Sequence, residues 1–207
     1  MKFEPRVTAV EELLFRSPLV WIGRFRCPPD HPLFPDSGPA SSHLFVFPRT
    51  SVRIQHRDRP AFVTSRNVVT YYNPGNEYRR LPLRGLRHVG LEAAELDPRG
   101  RLRRRRGGEG DHCEWFAVVP ELAAEVVQDF DPRAAERPET SFRFDHGPSD
   151  AATYYEHKLA LRRPAAAADP AGPLFIEETV VLLLARLLRS AYDLRGGAAG
   201  RPGSSPR

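Results

Sequence analysis

Apolar and polar side chains alternate along several short stretches in the amino-terminal part of the chain. Between residues 19 and 27, Trp21 and Phe25 fall on one side of an extended backbone, whereas Ile22 and Arg24 fall on the other. A period of two is typical of a β-strand. The pattern recurs at 43–47, 51–56, 61–64, 111–119 and 141–145. At least six short strands at this spacing predict an antiparallel sandwich or barrel.

The residues from 67 to 80 predict two strands on either side of a tight turn. The residues from Val68 to Tyr72 are all β-branched or aromatic, which suits a pleated strand. The turn reads Asn-Pro-Gly-Asn at 73–76, where proline presets φ and glycine accepts a positive φ. Tyr78 lies in the returning strand, so we expect a β-hairpin.

The period changes from two to 3.6 toward the carboxyl end, which predicts helices. Pro120 and Glu121 open a short helix, and Asp150 caps a second that runs to about residue 163. The strongest helix is expected at 173–194, where the apolar stripe is too wide for a single contact. We expect it to pack on its own β domain and to form a homodimer with a second copy. The interface candidates are Ile176, Val180, Leu183, Leu184, Leu187 and Ala191.

These patterns predict a mainly β chain with carboxy-terminal helices, in the α+β class. The expected parts are a β domain at 1–146, a helical dimerisation segment at 147–195 and a flexible linker or tail at 196–207. A flexible insertion at 99–110 contains the arginine-rich run 101–106. This run is interpreted either as a phosphate-binding arm or as a solvated loop, and a block of like charge favours the loop.

The composition indicates a globular domain and says little about partners. The 207 residues are 41% hydrophobic and 28% charged, which is enough for one well-buried domain. The net charge of +5 comes from 31 basic residues, of which only Lys2 and Lys158 are lysines. The sequence contains no apolar run that would predict a membrane span or a signal peptide. Cys27 and Cys113 cannot form a disulfide framework, so we expect a cytoplasmic protein.

Sequence signatures of catalysis are missing. The chain has no nucleotide-type glycine-rich loop, no Gly-x-Ser-x-Gly, no His-Glu-x-x-His and no Cys-x-x-Cys. Cys27, His43, His112 and Cys113 are the residue types that zinc prefers. Neighbours on a strand point to opposite faces, however, so His112 and Cys113 cannot easily share one metal. No metal site and no cofactor are predicted.

Aromatic and basic side chains on the predicted strands offer a binding site for a small molecule. One interpretation is an aromatic pocket inside the barrel with a few polar groups. The alternative, which the sequence leaves open, is ordinary core packing. The pocket candidates are Trp21, Phe25, Phe47, Arg49, Tyr71, Tyr78, Arg80 and Trp115.

Four separated blocks resemble, in order, the amino-terminal half of AraC/XylS-type bacterial transcription regulators. They are Phe-Pro-Arg-Thr at 47–50, Tyr-Asn-Pro-Gly-Asn-Glu-Tyr-Arg at 72–79, Gly-Asp-His-Cys-Glu-Trp-Phe at 110–116 and Phe-Ile-Glu-Glu-Thr at 175–179. The resemblance covers most of residues 10–195. It implies a cupin-like β-barrel that senses an unidentified small-molecule effector, followed by helices that dimerise. DNA would be bound only through a carboxy-terminal pair of helix-turn-helix motifs, which these 207 residues do not contain.

The comparison with metal-dependent cupins also bears on catalysis. Their second motif has the form Pro-x-Gly-x-x-His, and here Gly75 keeps the spacing while Tyr78 stands in place of the ligand histidine. A phenol with a pKa near 10 is a poor metal ligand at pH 7. The resemblance therefore implies a non-catalytic barrel in which Tyr78 and Arg80 either contact an effector or simply close the barrel. Two alternatives stay open: a metal-dependent cupin enzyme, such as an isomerase or dioxygenase, and an effector-free dimerisation module.

Overall fold

The computed structural model describes residues 10–35, 39–57, 59–81, 83, 110–162 and 172–199. The strands in these ranges are β1 (Val10–Arg16), β2 (Val20–Cys27), β3 (His43–Pro48), β4 (Arg53–His56), β5 (Phe62–Val63), β6 (Val68–Tyr72), β7 (Tyr78–Leu81), β8 (Asp111–Val118) and β9 (His146–Pro148). The helices are α1 (Pro120–Gln128), α2 (Pro132–Ala135), α3 (Ala151–Arg162) and α4 (Gly172–Ala199), with a 3₁₀ turn at Pro138–Thr140. None of these helices is long and apolar enough to cross a lipid bilayer.

The strands form two antiparallel sheets that pack face to face. The larger sheet has the order β1-β2-β8-β3-β6-β9, and the smaller has the order β5-β4-β7. Ile54 of the smaller sheet packs with Cys27 and Phe25 of the larger one. The architecture is mainly antiparallel β with carboxy-terminal helices, which confirms the predicted fold class.

The larger sheet buries both of its faces. The register places Ile22 beside Phe116 on the helix side, and it places Phe25 beside Cys113 on the side of the smaller sheet. A strand that is covered on both faces loses the simple alternation of buried and exposed residues. This explains why β3 and β8 are almost continuously buried.

The main core lies between the larger sheet and the helices. Ile22, Phe45 and Phe116 of the sheet pack in one cluster with Leu184 and Leu188 of α4. Each fully buried side chain of this size stabilises the fold by about 1.5–3 kcal/mol. The helices begin where the sequence predicts: α1 starts at Pro120, and the carboxylate of Asp150 accepts a 2.7 Å hydrogen bond from the Thr153 backbone N–H at the start of α3.

The two strands around the turn at 73–76 do not pair with each other, so the predicted hairpin is wrong. β6 pairs with β3 and β9, whereas β7 pairs with β4 in the other sheet. The turn itself forms as expected, with Gly75 at φ +76°. It is a corner that carries the chain between sheets, and Ala40 holds it through backbone hydrogen bonds with Gly75 and Asn76 of 2.8 and 3.1 Å.

The six predicted interface residues on α4 face the inside of their own chain. Each is at most 3% exposed and belongs to the main core. This corrects the assignment of that stripe to a dimer interface. A wide apolar stripe indicates burial but does not name the surface that buries it, and here α1, α3 and the sheet do so.

Some boundaries also differ from those predicted. Residues 141–145 are irregular, and the last strand is β9 at His146–Pro148. Helix α4 continues to Ala199, into the segment predicted as a tail. The arginine-rich insertion up to residue 109, the linker at 164–171 and residues 200–207 lie outside the described residues.

Candidate functional site

The eight predicted pocket residues are divided between the two sides of the larger sheet. Those on the side of the smaller sheet are Trp21, Phe25, Tyr78, Arg80 and Trp115. Phe47 and Tyr71 lie in the main core on the helix side, and Arg49 contacts Glu114 on that same side. A single pocket lined by all eight is therefore excluded, because a sheet lies between the two groups.

A buried ion pair occupies the space between the two sheets. The Arg80 Nε–H of β7 donates a hydrogen bond to the Asp111 carboxylate of β8, and both side chains are 6% exposed. Arg80 Nη2 also donates to the Tyr78 hydroxyl at 3.2 Å, and its guanidinium carbon lies 4.5 Å from the centre of the Phe25 ring. The ion pair therefore ties one sheet to the other and fills the interior at this point.

The residues between the sheets do not fit a metal ion. The guanidinium of Arg80 places a fixed positive charge beside Tyr78, the residue at the position of the cupin histidine ligand. Burial raises the pKa values of Cys27 and Cys113, so both thiols stay protonated. Among the described residues, no group of three or more His, Cys, Asp or Glu side chains could hold a metal ion.

A second buried charge cluster connects the larger sheet to α3. Glu114 of β8 is 1% exposed, and its carboxylate lies 3.1 Å from His157 Nε2 and 2.6 Å from Lys158 Nζ. Arg49 Nη1 lies 3.3 Å from the same carboxylate. The His157 ring stacks on Phe47 with ring centres 4.0 Å apart. This cluster fixes the position of α3 on the sheet.

The protonation states follow from the contacts of this cluster. Burial by itself raises the pKa of Glu114, but hydrogen bonds from His157 and Lys158 and the charges of Lys158 and Arg49 outweigh it and lower the pKa to about 2. Burial lowers the pKa of His157, so the ring is neutral and donates from Nε2 to Glu114. A neutral donor and a lysine together satisfy the buried carboxylate.

The Glu114 cluster is not among the sites that the sequence predicts. The sequence did contain one signal. Glu114 lies on the same face of its strand as His112 and Phe116, and Phe116 belongs to the core. A carboxylate at such a position needs cationic or hydrogen-bonding partners. Those partners come from a helix 43 and 44 residues later, and no local pattern connects them to the strand.

Replacing Glu114 with glutamine is expected to flatten the acid side of the pH–stability profile. The native pKa of about 2 lies below the ordinary value of 4.5, so the ionised group stabilises the fold above pH 4.5 and this contribution is lost as the pH falls from 4.5 to 2. By about pH 3, the wild type should have lost roughly 2 kcal/mol more than Glu114→Gln. Urea unfolding measured at a series of pH values checks this.

Glu12→Gln is the matched control for the pH profile, since Glu12 is 54% exposed and its carboxylate pairs with the exposed Arg24. Its stability should follow the wild type across the acid range. Parallel profiles for wild type and Glu114→Gln would show that Glu114 is not the group responsible.

An open cleft lies where the turn at 73–77 meets the irregular segment 142–145. Its volume is about 230 Å³. The charged lining residues are Arg57, Arg59, Glu77 and Asp145. The other lining residues are His56, Tyr71, Asn73, Gly75, Asn76, Phe142 and Phe144. Of the residues predicted to form a pocket, only Tyr71 lines this cleft.

Hydrogen bonds hold the walls of the cleft in place. The Asn73 side chain donates to the Phe142 carbonyl at 2.8 Å and accepts from the Phe142 N–H at 2.9 Å. Arg59 donates twice to the Arg143 carbonyl at 3.2 Å. Burial opposes ionisation of Asp145, but His146, whose Nδ1 lies 2.9 Å away, and Arg59 lower its pKa overall. The cleft is thus a preformed, charged surface feature.

The aromatic side of the cleft packs directly on α4. The ring centre of Phe144 lies 5.1 Å from that of Tyr71 and 5.2 Å from that of Tyr192. The Arg195 guanidinium carbon lies 4.5 Å from the same Phe144 ring. Gly147 of β9 allows the strand to lie close to α4, because a Cβ added at this residue would lie only 3.0 Å from the Cβ of Ala191. The aromatic wall of the cleft is therefore in contact with the last turns of α4.

No protein-family model matches the sequence, and no match was found among curated proteins. Among solved structures, the chain is similar to an RmlC-like cupin family protein with a double-stranded β-helix fold from Methanocaldococcus jannaschii (10% identity, TM-score 0.36, covering 57% of this chain and 87% of that one). It is also similar to a cupin domain from Bordetella pertussis (12%, 0.33, covering 56% and 98%). A third similar structure is the AraC-like transcriptional activator CuxR (13%, 0.40, covering 91% and 55%). The chain thus spans 55% of CuxR.

Proposed function

We propose that this chain is the regulatory half of an AraC-type transcription regulator, which senses a small molecule and dimerises through α4. DNA would be read by a carboxy-terminal helix-turn-helix half outside these 207 residues. The four sequence blocks at 47–50, 72–79, 110–116 and 175–179 support the family assignment. The proposal places the protein in the cytoplasm and assigns it no catalytic reaction.

One structural observation carries this proposal: the aromatic residues of the cleft pack on the end of α4. Phe144 contacts the cleft residue Tyr71 and also Tyr192 and Arg195 of the helix. A ligand that binds more tightly to one arrangement of Phe144 would favour the helix position that goes with that arrangement. The difference between the ligand's affinities for the two arrangements sets the size of this effect. Because the family's DNA-binding half follows this helix, the contact provides a route for regulation.

The dimer surface proposed for α4 is the face opposite to the predicted stripe. Leu174, Phe175 and Leu182 are 72%, 50% and 63% exposed. Glu178 and Arg186 are also exposed and lie four residues before and after Leu182. Residues at this spacing share one side of a helix.

This exposed face is complementary to itself in an antiparallel arrangement. With Leu182 at a two-fold axis, Glu178 of one copy meets Arg186 of the other, and Phe175 meets Arg189. The first pair is an ion pair, and the second is a cation–π contact. Arg186 also contacts Glu156 of its own chain, so the two copies would extend an existing ion pair. A second copy of α4 therefore fits this face.

Replacing Leu182 with glutamate is expected to convert the dimer into a folded monomer. The change would place two carboxylates together at the two-fold axis without touching the core, since Leu182 is 63% exposed. The dissociation constant of the dimer should rise by about 100-fold or more, which corresponds to roughly 2.7 kcal/mol. Sedimentation velocity over a concentration series measures it.

Leu33→Glu serves as the control, because Leu33 is 48% exposed and lies far from α4 in the sequence, before β3. It should leave the dimer intact. Circular dichroism melting should show that both variants keep the wild-type fold. A Leu182→Glu protein that sediments as the wild-type dimer would contradict the proposed interface, and so would a wild type that is monomeric at every concentration.

A further inference from the structure

We propose that the cleft between the turn at 73–77 and the segment 142–145 binds a free α-amino acid with an apolar or aromatic side chain. The inference rests on the sensing role proposed above and names the class of effector. It places the ligand outside the sandwich, because the Arg80–Asp111 pair occupies the interior.

The charges of the cleft are balanced and form two ion pairs: Arg57 Nη1 lies 3.3 Å from the Glu77 carboxylate, and Arg59 Nη1 lies 4.0 Å from that of Asp145. Arg57 and Arg59 follow β4, whereas Glu77 and Asp145 come from two other segments. Burial lowers the pKa of His56, so this lining residue adds no charge at neutral pH. A free anion would meet the two carboxylates, and a free cation would meet the two guanidinium groups. A zwitterion can replace both partners of such a pair at once, with its carboxylate on arginine and its ammonium group on the acid.

The four charged side chains of the cleft are exposed to different degrees. The side chains of Arg57 and Arg59 are 72% and 47% exposed, and that of Glu77 is 58% exposed. Asp145 is 11% exposed and is held by Arg59 and His146. We therefore assign the ligand carboxylate to the two arginines, and the ammonium group to Glu77 with Asp145 behind it.

The size and the aromatic wall of the cleft limit the ligand. A volume of 230 Å³ is the space of about eight water molecules at roughly 30 Å³ each, which suits an amino acid better than a nucleotide. Phe142 and Phe144 supply apolar surface for the side chain.

Two buried polar atoms on lining residues are also unsatisfied. The Tyr71 hydroxyl and His56 Nε2 have no hydrogen-bond partner among the described residues. An unpaired buried polar group is unfavourable by about 1–3 kcal/mol. A ligand whose binding shifts the wall enough to reach either atom gains that interaction, and Tyr71 contacts Phe144 and hence α4.

Isothermal titration of the 207-residue chain with each of the twenty standard L-amino acids tests the assignment. At least one amino acid with an apolar or aromatic side chain should bind. Its methyl ester and its N-acetyl derivative should each bind at least 10-fold more weakly, because each lacks one of the two charges. Glucose and benzoate complete the panel. Binding of either one without any amino acid would overturn the ligand class, as would the absence of binding by all twenty.

Variants locate the site on the protein. Arg57→Met/Arg59→Met and Glu77→Gln should each weaken the amino acid at least 10-fold, and the double arginine variant should no longer distinguish the acid from its ester. Arg53→Met is the control, since Arg53 is an exposed residue of β4 outside the cleft. Unchanged affinity in both cleft variants would overturn the site. Failure of these titrations with a dimer that Leu182→Glu still dissociates would refute the ligand and leave the regulatory proposal standing.

Discussion

Leu187→Asp will leave the chain largely unfolded at room temperature. Leu187 is 1% exposed in the core between α4 and the sheet, so the carboxylate would be buried without a partner. Loss of the leucine packing alone costs about 2–5 kcal/mol, and the buried charge adds several more. Because a domain is typically stable by only about 5–15 kcal/mol, the native state should be lost. Circular dichroism and the dispersion of amide proton signals measure this outcome.

Two further substitutions make the result interpretable. Leu187→Ala should fold but lose about 2–5 kcal/mol in urea unfolding. Leu182→Asp, five residues earlier on the exposed face, should remain folded as a monomer, because Leu182 is 63% exposed. A Leu187→Asp protein that is folded and monomeric would mean that this face meets a partner chain, as the apolar stripe first suggests.

Asp111→Ala will lower the free energy of unfolding by about 3–5 kcal/mol. The change leaves the guanidinium of Arg80 buried between the sheets without its carboxylate, and removing one member of a buried ion pair typically costs this much. The contacts of Arg80 with the Tyr78 hydroxyl and the Phe25 ring supply no full negative charge. Urea unfolding at neutral pH, with the slope compared between variants, gives the loss directly.

The double variant Arg80→Met/Asp111→Ala separates the ion pair from simple packing. If the loss comes from an unpaired charge, removing the arginine as well should restore part of the stability, and the effects of the two single changes should not add. Strictly additive effects would show that the two side chains contribute independently and that the pair does not join the sheets.

The filled interior also bears on where an effector would bind. Arg80 and Tyr78 were candidates for an effector pocket inside the barrel, yet Arg80 is engaged with both Asp111 and the Tyr78 hydroxyl. The cleft is lined instead by residues of the turn at 73–76, together with Arg59 and Asp145. The sensing site that we propose is therefore this cleft and not the interior of the sandwich.

Local sequence patterns determined which segments form regular structure. The alternation at 19–27 gives β2, the Asn-Pro-Gly-Asn sequence gives the turn at Gly75, and Asp150 gives the start of α3. Each depends on backbone preferences or on side chains within a few residues, so each is readable from neighbours. The apolar stripe on α4 likewise determined that this helix is buried.

Only the tertiary structure decided which surfaces meet. It separated the strands around Gly75 into two sheets, directed the α4 stripe toward its own chain, and brought Glu114 to His157 and Lys158 across more than 40 residues. It also placed Phe144 between the cleft and α4. The physical reason is that a period of two or 3.6 gives each residue a side of its element, whereas the partner of that side depends on how all the buried faces pack at once.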